Sequence, residues 1–166
     1  MKDMSAPDLA VAVTGADGKG HFAEIPPPQA RLFVPDIVDV AYVWETTADS
    51  AVPQRIGGQP RDIGFPAAGG TKFGIVLLPP HSAGKSVPAQ GEAIGADYRD
   101  DGMHLSDTID YDVVIQGRVD LVLDSGERRT LAAGSMVVMG GANHSWQNRY
   151  DEPCVMATIT VGVPRA

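Results

Sequence analysis

With 166 residues the chain has room for one domain with a substantial core, and not for two of ordinary size. Its 13 Lys and Arg against 21 Asp and Glu give a net charge of −8, spread along the chain, and such a surface repels phosphate backbones and anionic lipid. Nucleic acid and membrane are therefore set aside as partners, and a lone cysteine, Cys154 in an apolar run, excludes an internal disulfide and reads as an inert buried thiol. Residues 1–8 lack the charged-then-apolar layout of a signal peptide, and no apolar run nears the roughly 20 residues of a membrane span, so a cytoplasmic location is expected.

Residues 9–14 and 21–25 alternate around a Gly- and Asp-rich turn and predict a hairpin, which Pro26, Pro27 and Pro28 end. Two short strands are marginal alone in water, so this hairpin is expected to dock on the main body or on a second copy. Residues 38–47, rich in β-branched and aromatic side chains, predict the next strand. A Pro- and Gly-rich loop over 48–70 leads to a strand over 71–78, stopped by Pro79 and Pro80. Residues 81–102 show little regularity beyond a turn of helix near 91–96. Structureless stretches this long are uncommon in compact domains and are often lids or binding loops. Two readings stay open there, a lid over a site and a plain surface excursion.

From Met103 to Asn148 the pattern is the most regular in the chain. Alternating apolar and polar residues, broken at Gln116-Gly117 and at Asp124-Ser125-Gly126, read as short antiparallel strands joined by tight turns. Residues 127–131 make a polar edge strand, Gly134 marks a turn, and residues 154–161 close the sheet. Such a run of strands points to a β-sandwich or a barrel, an all-β fold without a helix of ordinary length.

This central stretch resembles the cupin superfamily. That family's first motif, G-x5-H-x-H-x3,4-E-x6-G, is matched in spacing by His104-x-Ser106-x3-Asp110-x6-Gly117. Its second, G-x5-P-x-G-x2-H-x3-N, is matched by Gly134 followed by Gly141-x2-His144-x3-Asn148, one residue shorter and with Met139 at the proline position. The resemblance implies a double-stranded β-helix, the jelly-roll barrel. It would make residues 1–166 one domain, with an N-terminal hairpin and arm over 1–37 and the conserved barrel core over 71–161. It also implies a divalent metal such as iron, zinc or manganese, with His104, Asp110 and His144 as ligands. Asp110 stands where the family has glutamate, and Ser106 stands in place of the second histidine. Pairing into a homodimer through N-terminal strands is a further expectation.

Strand alternation gives a partly independent route to the same residues. His104, Ser106, Thr108, Asp110, Asp112 and Val114 share one face if their strand is continuous, and His144, Trp146 and Asn148 share one face of another. Two imidazoles and a carboxylate inside a barrel form the ligand set of 2-His-1-carboxylate centres. Without a metal, the same groups make a polar pocket in which burial raises the pKa of Asp110 or Asp112 and lowers that of a histidine, the tuning that acid-base catalysis needs. Asp110, His104 and Asp112 are the catalytic candidates, and Ser106, Trp146 and Asn148 the candidates for binding substrate. Simpler roles stay open beside these, Trp146 as core and Asp112 as a solvated group at the mouth. Tyr111 has the opposite parity and belongs outside. The expected function is a cupin-type enzyme of proton-transfer, lyase or oxygenase chemistry on a small polar organic substrate, the alternative being a barrel that binds a small ligand without turning it over.

Overall fold

The computed structural model describes residues 9–52, 58–85, 97–99 and 101–165. Its strands are β1 (Val11–Thr14), β2 (Gly20–Ala23), β3 (Arg31–Val34), β4 (Val38–Thr46), β5 (Thr71–Leu78), β6 (Asp97–Tyr98) and β7 (His104–Leu105). There follow β8 (Thr108–Gln116), β9 (Arg118–Leu123), β10 (Arg128–Ala132), β11 (Met136–Gly140), β12 (His144–Gln147) and β13 (Cys154–Gly162). Among the described residues there is no helix, and none long and apolar enough to cross a membrane. The strands form a six-stranded sheet, β11-β8-β13-β5-β4-β3, and a five-stranded sheet, β10-β9-β12-β7-β6, with β1 and β2 as a separate hairpin. The fold is an all-β jelly roll, the barrel that the cupin resemblance implies.

Turn chemistry fixes the registers. Gly117 joins β8 to β9 at φ +73°, and a Cβ there would lie 2.2 Å from the Pro153 carbonyl oxygen, so only glycine fits the corner. Gly134 takes φ +89° before β11. Between the sheets, Val38, Leu78, Val114, Val119, Cys154 and Met156 form a buried apolar cluster, each such side chain stabilising the fold by about 1.5–3 kcal/mol when fully buried. Cys154 is the buried thiol expected of it.

Three features depart from the sequence expectations. The strand carrying His104 is not continuous with the one carrying Asp110. Asp107 lies between them, its carbonyl accepting from the Val163 amide at 3.0 Å and its carboxylate paired with Arg165 at 2.5 Å. The backbone there is tied to the end of β13, so the chain leaves the five-stranded sheet after Leu105 and enters the six-stranded sheet at Thr108. Second, β3 lies inside the span assigned to the arm, yet it is the edge of the barrel sheet, clamped by a two-pronged Arg31 to Asp39 ion pair at 2.8 and 2.7 Å. Third, β6 emerges from the stretch expected to be irregular. Most of the lid candidate, residues 86–96 with its turn of helix, lies outside the described residues.

The six-stranded sheet mixes polar and apolar residues on its inner face and is apolar without. Val138, Tyr111, Ile159, Phe73 and Trp44 are successive register partners across β11, β8, β13, β5 and β4, and they lie on the outer face. Met136 and Ile115 extend this row, and Met136 and Val138 are 79% and 69% exposed. Among the described residues, no charged side chain occupies an outward position of β11, β8, β13 or β5.

Candidate functional site

A cavity of about 140 Å³ lies between the two sheets. His104, Asp110, Asp112, His144 and Trp146 all line it, so these five sequence candidates meet in one interior. They reach it from opposite walls. His104 and His144 are register partners on β7 and β12 of the five-stranded sheet, whereas Asp110 and Asp112 alternate on β8 of the six-stranded sheet. Val38, Val40, Val76, Leu78 and Met156 supply an apolar wall.

The aromatic rings form a continuous run. Tyr98 stacks on His104 with centroids 4.5 Å apart and planes 15° from parallel, His104 meets His144 at 4.3 Å, and His144 meets the edge of Trp146 at 6.0 Å. Each imidazole is tied through Nδ1 to a nearby backbone carbonyl, Gly102 O at 3.2 Å for His104 and Ala142 O at 2.8 Å for His144. A carbonyl only accepts, so Nδ1 carries the proton and Nε2 is left with its lone pair. Burial, then the neighbouring His144, pushes the pKa of His104 down to about 4, and burial also lowers that of His144. Both rings are neutral at pH 7.

The carboxylates are shifted the opposite way by the same cause. Burial raises Asp110 to about 6 against the opposing hydroxyls of Thr108 and Thr160. Asp112 also rises to about 6, from burial first and the charge of Asp110 last, with the Thr158 hydroxyl working against both. Asp112 is buried rather than solvated at the mouth. Oδ1 of Asp110 is buried without a hydrogen-bond partner, an expensive arrangement for an acceptor unless a ligand or a proton completes it. The phenols of Tyr42 and Tyr98 are held firmly protonated, by burial first and with Asp110 contributing to both.

Two candidates for binding substrate lie elsewhere. Ser106 does not line the cavity, and its hydroxyl is engaged with Thr108 Oγ1 at 2.6 Å. Asn148 is fully buried as a structural bracket, its amide nitrogen donating to Leu78 O at 3.0 Å and Glu152 O at 2.8 Å while Oδ1 accepts from the Tyr150 amide. Trp146 takes both parts foreseen for it, wall of the cavity and neighbour of the apolar cluster.

The donor set does not fit a metal held by three protein ligands. Two imidazole Nε2 atoms are free, yet among the described residues no three His, Cys, Asp or Glu side chains come together in a metal-holding group. Ser106, at the fourth ligand's place, has spent its hydroxyl.

Sequence reasoning missed Tyr98, Tyr42, Thr158 and Thr160 as lining residues. The threonines were legible, since they share the inward parity of Met156 on β13 and pair in register with Asp112 and Asp110. Tyr98 had no such signal, because β6 is two residues long.

No protein-family model matches the chain. It is similar to phomopsin biosynthesis cluster protein C' of Diaporthe leptostromiformis, with 38% identity over 123 residues, 64% of this chain and 64% of that protein. It is also similar to the cupin-domain-containing oxidoreductase virC of Hypocrea virens, 41% identical over 46 residues, 28% of this chain and 24% of that one. The matches thus span less than two thirds of these relatives. Among solved structures, the cupin domain of Schizosaccharomyces pombe Cnp3 superposes on 93% of this chain and 86% of its own with a TM-score of 0.50 and 9% identity.

Proposed function

We propose that this chain, a cupin by its fold, is a small-molecule enzyme that moves a proton at a carbon beside a carbonyl, as isomerases and lyases do. One observation carries the reading. Asp110 Oδ1 is buried and unpartnered in a cavity where two neutral imidazoles face it with their Nδ1 protons already committed. With its pKa raised to about 6, Asp110 is ionised at pH 7 and basic enough to accept a proton from carbon. The C–H electron pair would pass into the enolate, and the same carboxyl would return the proton at a neighbouring position. Tyr98 and Tyr42 supply phenol donors for the enolate oxygen. Nε2 of His104 and His144 accepts hydrogen bonds from the substrate and orients it. Asp112, raised to about 6 by burial first and the charge of Asp110 last, holds a proton beside Asp110 below that pH.

A cavity of about 140 Å³ suits a small substrate, with one apolar side against Val40 and Met156. Similarity to a biosynthesis cluster protein and to an oxidoreductase supports catalysis over passive binding. No step is routed through a metal. The test is proton exchange in D2O, followed by NMR on a panel of small 2-oxo acids and cyclic ketones. Exchange should fall about 100- to 1,000-fold in Asp110→Asn and be indifferent to chelator. Exchange that appears only on adding iron, zinc or manganese would overturn the reading.

The partner proposed for the outer sheet face is a second copy of the chain. Met136, Val138, Tyr111, Ile115, Ile159 and Phe73 leave roughly 600–700 Å² of largely apolar surface, near the roughly 800 Å² per partner of a standard interface. Two chains of charge −8 repel one another, and this charge-free face is where they can approach. Light scattering at micromolar concentration should give twice the chain mass, and a monomer would count against it.

A further inference from the structure

Lys72 is the unusual residue of the six-stranded sheet. It lies on β5 in the inward row of Asp110 and Thr160, both linked to it by register, and it is 4% exposed. A buried ammonium is costly unless fully hydrogen-bonded. Its partners come chiefly from the loop between β4 and β5. Nζ donates to Asp62 Oδ1 at 2.7 Å, Asp62 O at 3.0 Å and Gly64 O at 2.6 Å, and sits 5.4 Å from the Tyr42 ring centroid. Glu45, on the sheet itself, is more distant at 3.7 Å.

The same loop is sewn to the end of β13, Gly69 N donating to Gly162 O and Gly162 N to Gly70 O, both at 2.9 Å. Within the first of these fastenings stands Ile63 and between the two stands Phe65, and both line the cavity. An apolar side chain at position 72 would fill the interior as well; an ammonium there makes the position of this wall depend on three oxygens of the loop.

We propose that Ile63 and Phe65 limit what enters the cavity and that Lys72 is the positioning residue that holds them in place. The inference rests on the cavity and its wall, not on the acid-base chemistry, so either can fail without the other. Asp62 is the lever, because its side chain is 75% exposed and it stands in the loop rather than on the sheet. Trp146 lines the cavity and reports on its opening.

The experiment measures acrylamide quenching of Trp146 fluorescence in a Trp44→Phe background, with far-ultraviolet circular dichroism as the check on folding. Asp62→Ala and Lys72→Met should raise the quenching constant about two- to threefold, and Lys72→Arg, which keeps the charge and the donors, should restore protection. Phe65→Ala should raise quenching with the Lys72 hydrogen bonds intact. If Lys72→Met fails to fold, Asp62→Ala decides. Unchanged quenching in a folded Asp62→Ala protein, or equal quenching in folded Lys72→Met and Lys72→Arg, would overturn the proposal.

Discussion

The two faces of the six-stranded sheet depart from the usual pattern of a half-buried sheet, the inner one by mixing charged and polar residues among its apolar ones and the outer one by carrying apolar residues. Inside stand Asp110, Asp112, Thr158, Thr160 and Lys72; outside stand Val138, Tyr111, Ile159 and Phe73. Antiparallel sheets normally turn apolar residues inward and polar ones to water. Inward carboxylates cost stability, and outward aliphatic side chains invite association, so each face departs from what folding alone would select. The proposed site accounts for the inner departure, and the proposed pairing of two copies for the outer one. The five-stranded sheet adds the complement from across the cavity, two neutral imidazoles facing two reluctant carboxylates.

The contrast is most strongly broken by charging the outer face. Val138→Lys combined with Ile159→Lys places like charges opposite one another in a symmetric pair and should weaken dimerisation about 100-fold or more, read by sedimentation, while proton exchange in the cavity is unchanged. Equal dimerisation in that variant would separate the apolar row from any interface.

Neutralising the inner face should act on stability instead, and with a defined sign. The folded-state pKa of Asp112 is raised from 3.8 to about 6, so the native state binds more protons than the unfolded state between those values. Stability from this group is therefore lost as pH rises through about 4 to 6 and does not return above it. Asp112→Asn removes that loss and should stabilise the protein by about 1–2 kcal/mol at pH 8 and by little at pH 4. A site that costs stability is expected to lose activity when relieved of it, so the same variant should turn over more slowly.

The histidines carry the opposite dependence. His104 is lowered from 6.5 to about 4, so its contribution to stability grows as pH rises through that window, offsetting the aspartates. His104→Gln should therefore steepen the fall in stability between pH 4 and 6.5, measured by urea denaturation. An unchanged profile would place the ring in water.

Much of this architecture was legible because strand alternation has a period of two and turns demand particular residues. Gly117, Gly134 and the alternation of Asp110 with Asp112 announce a jelly roll and its inward carboxylates, and Tyr111 reads correctly as outward. The break at Asp107 was not legible. It depends on Val163 and Arg165, more than 50 residues away, which no local pattern reports. His104 still faces Asp110, but from the opposite sheet rather than along a shared strand. Ser106 and Asn148 had the right spacing for a site, yet their polar atoms are consumed by Thr108 and by backbone carbonyls, a fate decided by tertiary neighbours. Tyr98 was invisible for the same reason, since its place on His104 is set by a two-residue strand in an irregular segment.

The most direct measurement of the central claim needs no substrate. Carboxyl-carbon and imidazole-nitrogen NMR, followed from pH 3 to 8 in the folded protein, reads the protonation of Asp110 and His104 together. Asp110 should titrate near 6, while His104 stays neutral as the Nδ1–H tautomer down to about pH 4. An Asp110 that titrates near 3.8 beside a His104 that protonates near 6.5 would mean that both groups are bathed in water, and the buried proton-handling site would not exist.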